Sequence, residues 1–273
     1  MRRAARTIAL FVLAFGRPLL AHGDIDEQIA ILSRRIAKTP ADARLYLHRG
    51  ELHRFHGDAR AALADLARAE KRDPKLAAVH LCRGALFLDA GDPRRARRAL
   101  GRFLRKEPSN PEGLKLLAKA LAKLGRSREA AGLLARAIAA SRQPGPELFA
   151  EKARLLGESG DREGALAAID DGLGRLGPVT ALELSAIDLA AGLGRADDAL
   201  GRLDVAAASS PRQEGWLYRR GELLAAAGRG AEARLAYEDA LRAIQALPEE
   251  RRGTPAVWEL EERVCSRLTG AHP

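Results

Sequence analysis

Apolar residues are spaced along much of this chain as they are on one face of an α-helix. Near the start, such a stripe is formed by Ile25, Ile29, Leu32 and Ile36. Near the end, the pair Thr254-Pro255 is a favourable helix start and precedes a second stripe. Alternating runs of β-branched and aromatic residues are scarce, and Ala and Leu supply most apolar positions. The pattern therefore predicts an all-α fold with one helix near each end.

Between these two segments, glycines recur at an almost constant interval. The recurring glycines are Gly57, Gly91, Gly125, Gly160, Gly194 and Gly228, each 34 or 35 residues after the one before. An alanine stands five residues after every one of them, and prolines close most of the intervals. Glycine adopts the left-handed conformation that ends many helices, and proline stops the next helix. Each interval therefore predicts one helix-turn-helix unit.

The period and its small residues resemble the tetratricopeptide repeat (TPR) family. The first unit, ARLYLHRGELHRFHGDARAALADLARAEKRDP from Ala43 to Pro74, shows the resemblance almost throughout. Later units depart from it at Arg142, Gly172, Ile187 and Gln245. The resemblance implies an all-α, right-handed superhelical solenoid of helix-turn-helix repeats. Its six repeats are predicted at residues 43–76, 77–110, 111–145, 146–179, 180–213 and 214–248.

The segments on either side of the repeats are predicted to be caps. Residues 24–42 form an N-terminal capping helix that begins with a capping-box-like Asp24 and Glu27 and ends near Lys38. Residues 249–273 form a C-terminal capping helix and tail. A solenoid needs such terminal helices because its end repeats would otherwise expose an apolar face.

Residues 1–23 have the layout of a secretory signal peptide. A basic MRRAAR precedes the apolar run TIALFVLAF, and small residues precede a cleavage site near Gly23 and Asp24. Arg17 and Pro18 interrupt the apolar run too early for a comfortable membrane span. The alternative is an apolar first helix of a cytosolic protein. We expect an exported protein of the bacterial periplasm.

Positive charge is concentrated in one part of the chain. The net charge is +10, and it falls to +6 without residues 1–23, which hold four basic and no acidic residues. Residues 91–128 contain twelve basic and three acidic residues, many of them on the predicted helix 94–106. This helix has a solvated face or contacts a partner or an anionic membrane surface. Binding of nucleic acid through residues 94–128 by a cytosolic accessory protein is the alternative function, although Phe103 is the only aromatic residue there.

The family resemblance also implies where a partner binds, because the first helix of each repeat lines a groove. The predicted groove residues are Arg44, Glu51, Arg54, Lys115, Lys119, Lys123, Arg154, Asp188, Tyr218 and Glu222. The three lysines share one helical stripe, which is either a solvated face or a basic wall for an acidic partner. The carboxylate clamp of chaperone-binding members requires asparagine, and the only one, Asn110, lies in a predicted turn.

Candidate chemistry is sparse. No catalytic motif or cofactor-binding loop is present, so we expect a monomeric, non-enzymatic scaffold for a protein or peptide. The one metal-like cluster consists of His48, His53, His56 and His80, for which helix-packing and helix-edge positions are the simpler interpretation. Cys82 lies in the second repeat and Cys265 in the last helix, with several repeats between them, so we expect two free and mostly buried thiols, or at most an intermolecular link.

Overall fold

The computed structural model describes residues 22–208 and 210–270, and the described residues form fifteen helices and no strand. The helices are α1 (His22–Lys38), α2 (Ala43–His56), α3 (Ala59–Arg72), α4 (Ala78–Asp89), α5 (Pro93–Lys106), α6 (Pro111–Ala122), α7 (Ser127–Ala140), α8 (Pro146–Glu158), α9 (Arg162–Leu176), α10 (Thr180–Gly192), α11 (Ala196–Ala208), α12 (Glu214–Ala226), α13 (Gly230–Gln245), α14 (Glu249–Arg252) and α15 (Pro255–Thr269). No described helix is long and apolar enough to cross a membrane.

The helices pack in consecutive pairs, from α2 with α3 to α12 with α13. Helix α1 packs on α2 at one end and α15 packs on α13 at the other. Each predicted repeat range contains one of the six pairs. The predicted all-α fold of paired helices is confirmed. The four-residue helix α14 was not predicted from the sequence.

Residue contacts divide the chain into two compact units. Unit 1 spans Met1–Pro108 and unit 2 spans Ser109–Pro273. In unit 1, an apolar core that includes Leu32, Leu66 and Val79 joins α1, α3 and α4. In unit 2, a larger core extends from Ile138 on α7 to Val264 on α15. Each unit therefore has its own buried apolar centre.

The recurring glycines end the first helices as the sequence predicts. All six have positive φ, between 71° at Gly91 and 89° at Gly57. After α2, the N–H of Gly57 donates to the carbonyl of Arg54 at 3.1 Å, and the N–H of Asp58 donates to that of His53 at 2.9 Å. The Asp58 side chain then accepts from the N–H of Ala61 and caps α3. Gly57 thus allows a short turn between two capped helix ends.

A buried ion pair connects the first three helices. Arg49 on α2 donates to both carboxylate oxygens of Asp65 on α3, at 2.6 and 2.8 Å, and to the hydroxyl of Ser33 on α1, at 2.8 Å. Asp65 is only 1% exposed and also accepts from Arg68 at 2.8 Å. Burial alone would raise the pKa of Asp65, but the hydrogen bonds from Arg49 and Arg68 outweigh it and lower the pKa.

The start of α1 and the environment of one thiol differ from the expectations based on the sequence. Residues 1–21 of the predicted signal peptide lie outside the described residues. Helix α1 begins at His22, so the prediction that it starts with a cap at Asp24 is wrong, whereas its end at Lys38 is as predicted. Both cysteines are free, but only Cys82 is buried, so the expectation of a buried thiol is wrong for Cys265. Cys265 is exposed on the C-terminal capping helix.

Candidate binding surfaces

The first helix of each pair in unit 2 carries predicted groove residues, and two of them meet. Arg154 on α8 and Asp188 on α10 line one cavity of about 280 Å³, together with the small residues Gly157 and Ser185. Arg154 donates to Glu151 at 2.7 Å and also pairs with Glu158. The pKa of Arg154 is raised, mainly by the hydrogen bond to Glu151. The guanidinium of Arg154 is therefore held by its own helix at the cavity edge.

A second cavity follows towards the C-terminus, with a volume of about 320 Å³. Its apolar lining comes from Leu184 on α10, Trp216 on α12 and Leu260 on α15. Arg219 lines the same cavity and pairs with Asp188 of the first cavity, so that one ion pair connects the two. This cavity suits an apolar side chain bordered by charge.

The third cavity is the largest of the three, about 850 Å³, and lies where α12, α13 and α15 meet. Tyr218 and Tyr237 line it, with ring centroids 5.8 Å apart. The hydroxyl of Tyr237 donates to Glu222, and burial, followed by this hydrogen bond, raises the pKa of the phenol. Arg267 of the capping helix donates to the other Glu222 oxygen at 3.0 Å.

Arg263 supplies the unneutralised charge of the third cavity. Its guanidinium lies 5.2 Å from the ring centroid of Tyr218, a cation–π geometry. Its Nε donates to the carbonyl of Glu259 at 3.2 Å, and no carboxylate among the described residues pairs with it. An acidic group that enters this cavity would therefore find one cation without an anionic partner.

The predicted lysine stripe does not belong to these cavities. Lys115 pairs with Glu112 on its own helix at 2.5 Å. Lys119 and Lys123 are exposed, and their side chains form no hydrogen bond or ion pair with residues 22–208 or 210–270. The side chains are free to meet an anion, yet the structure shows only a solvated face at this place.

In unit 1, the predicted groove residues have different environments. Arg44 is exposed, while Arg54 on α2 donates to Asp89 of α4 at 2.6 Å and stacks on Phe55 at 4.2 Å. Burial raises the pKa of the Glu51 carboxyl, an effect partly opposed by His48 and Arg54. Arg54 therefore connects two first helices, and only part of this predicted set is available to a partner.

The histidines do not converge. His53 lies 3.9 Å from Asp65 and His80 lies 3.9 Å from Glu70, which are different residues of α3. His56 lies 3.5 Å from Asp26 of α1. Within the described part of the chain, no group of three or more His, Cys, Asp or Glu residues is arranged to hold a metal ion.

The basic helix predicted at 94–106 is α5, and its one aromatic residue is in the core. Phe103 is 3% exposed, so it cannot stack on a base. Exposed arginines surround the rest of the helix. Binding of nucleic acid through α5 would therefore depend on the charge of its arginines alone.

Several residues of the three cavities were not predicted, namely Leu184, Trp216, Arg219, Tyr237, Arg263 and Arg267. One of them carries a signal in the repeat pattern. Nine residues after the recurring glycine, the other five repeats have Leu or Ile, and the sixth has Tyr237. Gly221 makes room for it, because a Cβ there would lie 2.4 Å from the Tyr237 ring. The residues of α15 lie outside the repeats, so the repeat pattern could not predict their role.

Comparison with known proteins identifies the class. The family model described as a tetratricopeptide repeat matches residues 81–145 and 184–248. Together with the paired helices and their glycine turns, this match shows that the chain belongs to the tetratricopeptide repeat family. No curated protein matches the sequence.

Solved structures share the fold at low sequence identity. The C-terminal part of a TPR repeat-containing protein from Cytophaga hutchinsonii has a TM-score of 0.67 at 13% identity, over 87% of this chain and 94% of that one. YrrB, described as a TPR protein with an unusual peptide-binding site, has a TM-score of 0.55 at 20% identity, over 69% and 97%. A tetratricopeptide repeat protein from Parabacteroides merdae has a TM-score of 0.51 at 17% identity, over 89% and 93%. These likenesses show the fold alone.

Proposed function

We propose that the chain is a non-enzymatic scaffold that holds a protein or peptide partner along the three cavities of unit 2. The observation that carries this proposal is the connection of the first and second cavities through the ion pair between Asp188 and Arg219. Tyr218 of the third cavity is the neighbour of Arg219 in α12. A series of separate cavities on packed helices suits an extended partner segment better than a single small substrate. YrrB is described as having a peptide-binding site, and peptide binding by this chain is our proposal.

The lining of the cavities defines the partner segment. The second cavity, with Leu184, Trp216 and Leu260, accepts an apolar anchor. The third cavity, with Arg263 over Tyr218, accepts an acidic side chain or a carboxylate. The expected ligand is therefore a segment with an apolar residue followed or preceded by an acidic one.

Crosslinking from defined positions tests this proposal. A photo-crosslinking amino acid would replace Leu184 or Tyr218 in the full chain, and Leu235 would serve as the control because it is 60% exposed on α13 and lines none of the three cavities. We expect a partner adduct from positions 184 and 218 and none from position 235. Equal adducts from all three positions would contradict the proposal. Once a partner is known, Arg263→Gln should weaken its binding about tenfold.

We also propose that the chain works in the bacterial periplasm after removal of its first residues. Support comes from the signal-peptide layout of residues 1–23. N-terminal sequencing of the protein isolated from its own cells should give a chain that begins near Asp24. Recovery of a chain with Met1 from the soluble cytosolic fraction would contradict the proposal.

A further inference from the structure

A cavity of different character lies between α4 and α5 in unit 1. Its volume is about 230 Å³. The lining residues are His80, Arg83, Phe87, Arg95, Arg98, Ala99 and Arg102. Four of these seven residues are arginines and none is a carboxylate. We call this cavity the arginine pocket.

The charges around the arginine pocket do not balance. Arg83 donates to Glu70 of α3 at 2.8 Å, and Arg95 lies 3.4 Å from Asp92. The side chains of Arg98 and Arg102 form no hydrogen bond or ion pair with any residue in 22–208 or 210–270, although the charge of Arg102 helps to lower the pKa of the Glu70 carboxyl. Within those residues Arg98 therefore has no anionic partner, and Arg102 has no direct ion pair.

A buried nitrogen at the pocket also lacks a partner. His80 is 8% exposed, and its Nδ1 is buried without a hydrogen-bond partner in the described structure. Its Nε2 is 3.9 Å from the nearest Glu70 oxygen, too far for a hydrogen bond. Buried polar atoms in folded proteins are nearly always hydrogen-bonded. His80 therefore brings an imidazole with an unsatisfied nitrogen to the lining of an arginine-rich cavity.

The same groove exists in unit 2 with other chemistry. The two family-model matches begin at residues 81 and 184, and the interval between these starts defines equivalent positions. By this interval Glu183 is equivalent to His80, and Val205 is equivalent to Arg102. Six lining residues of the arginine pocket have equivalents that line one cavity between α9, α10 and α11. Those equivalents are Glu183, Ala186, Asp198, Gly201, Arg202 and Val205. The groove thus occurs at equivalent positions of two repeats, while its four arginines occur only in the first of these two.

We propose that the arginine pocket binds a phosphate monoester group. Such a group carries a charge of about −1.5 to −2 at pH 7, which matches the two unpaired arginines. Guanidinium groups donate pairs of parallel hydrogen bonds to phosphate oxygens, and several arginines around one small cavity can satisfy three of those oxygens. Exposed Arg94, Arg97 and Arg105 on the same helix raise the local concentration of anions. The site is independent of the three cavities of unit 2.

Titration of the full chain with phenyl phosphate tests the site. The titration uses calorimetry at pH 7.5 in a low-salt, phosphate-free buffer. The wild-type chain should bind one equivalent. The double variant Arg98→Gln with Arg102→Gln should lose at least about a hundredfold in affinity, because each charged hydrogen-bond donor contributes about a tenfold factor or more.

The matched control is the double variant Arg97→Gln with Arg105→Gln. It removes the same charge from the same helix, but neither residue lines the pocket. We expect its affinity to stay within about threefold of wild type, since exposed charges act only through a screened field. Equal losses in the two double variants would overturn the proposal, as would the absence of saturable binding by the wild type up to roughly 10 mM. Circular dichroism on all three proteins verifies that they are folded.

A resonance of His80 gives a readout at the site itself. In NMR spectra, the imidazole signal of His80 is the one that disappears in the His80→Gln variant. Phenyl phosphate should shift this signal and leave the signals of His48 and His53 unchanged. A shift of all histidine signals together, or of none, would overturn the assignment of the ligand to this pocket.

Vesicles separate two sources of the phosphate. Phosphatidic acid has a monoester headgroup, whereas phosphatidylglycerol has a diester. Pocket-dependent binding to phosphatidic acid vesicles, together with phenyl phosphate binding, would identify a lipid ligand. Phenyl phosphate binding without vesicle binding would identify a soluble one, and both results support the site. Equal binding of wild type and the pocket variant to both vesicle types, without phenyl phosphate binding, would show general surface charge and overturn it.

Discussion

At the scale of single residues, two glycines of the second repeat have opposite surroundings. A Cβ added to Gly84 on α4 would lie 2.4 Å from Cγ of Leu100, which is fully buried. A Cβ added to Gly101 on α5 would meet nothing within 4 Å. The first glycine allows two helices to approach, while the second only lowers the stability of its helix.

These two sites give opposite predictions for the same substitution. Gly84→Ala should lower the free energy of unfolding by about 1–3 kcal/mol, because the core is overpacked. Gly101→Ala should raise it by up to about 1 kcal/mol through helix propensity. Urea unfolding followed by circular dichroism measures both. If both substitutions changed the free energy of unfolding in the same direction, the close packing of Gly84 against Leu100 would be contradicted.

The two cysteines should differ in reactivity. Burial raises the pKa of the Cys82 thiol to about 12, whereas Cys265 is exposed. Because the thiolate is the nucleophile, a disulfide reagent at pH 8 should modify one thiol per native chain and two per unfolded chain. In Cys265→Ser the rapid native reaction should vanish. Its persistence would show that Cys82 is accessible.

At the scale of helices, the ion pair of Arg49 with Asp65 should be important for the packing of α1, α2 and α3. Asp65→Asn leaves a largely buried guanidinium with weaker partners and should lower the free energy of unfolding by about 3 kcal/mol. The control is Asp204→Asn, which breaks an exposed pair with Arg220 and should cost at most about 1 kcal/mol. Similar losses in the two variants would contradict a special role of burial.

The same ion pair gives stability a pH dependence. The folded protein lowers the pKa of Asp65, so the unfolded chain binds the proton more readily. The stabilisation is fully present above the ordinary pKa of about 4 and is lost as the pH falls through the lowered value. The stability difference between wild type and Asp65→Asn should therefore shrink below about pH 4 in urea titrations. A constant difference down to pH 2.5 would contradict this linkage.

Helix existence and most helix ends could be predicted from the sequence, because they depend on local chemistry. Glycine at Gly57 and its equivalents, and prolines such as Pro40, act within a few residues. The start of α1 at His22 and the short helix α14 were missed. The Arg49–Asp65 pair and the arginine pocket were also missed, since both depend on which helix faces meet across repeats. Arg102 could be placed on a helix from the sequence, but its cavity could not.

At the scale of the whole chain, both tryptophans, Trp216 and Trp258, belong to unit 2, whereas Asp65 belongs to unit 1. In repeat proteins stability is a sum of unit and nearest-neighbour contributions. Asp65→Asn should therefore move the unfolding midpoint in urea seen by circular dichroism more than the one seen by tryptophan fluorescence. Coincident shifts of both signals would show that the chain unfolds as a single cooperative system.

The equivalence of the arginine pocket and its counterpart in unit 2 has a consequence for how such a chain changes over generations. Residues such as Arg98 and Gly201 hold the same structural position, and both lie outside the buried core. Substitutions there should change which ligand the groove accepts at little cost in folding, whereas larger side chains at Ala96 or Ala199, which are fully buried, should overpack the core. New binding preferences can thus arise on a backbone whose packed core does not have to change.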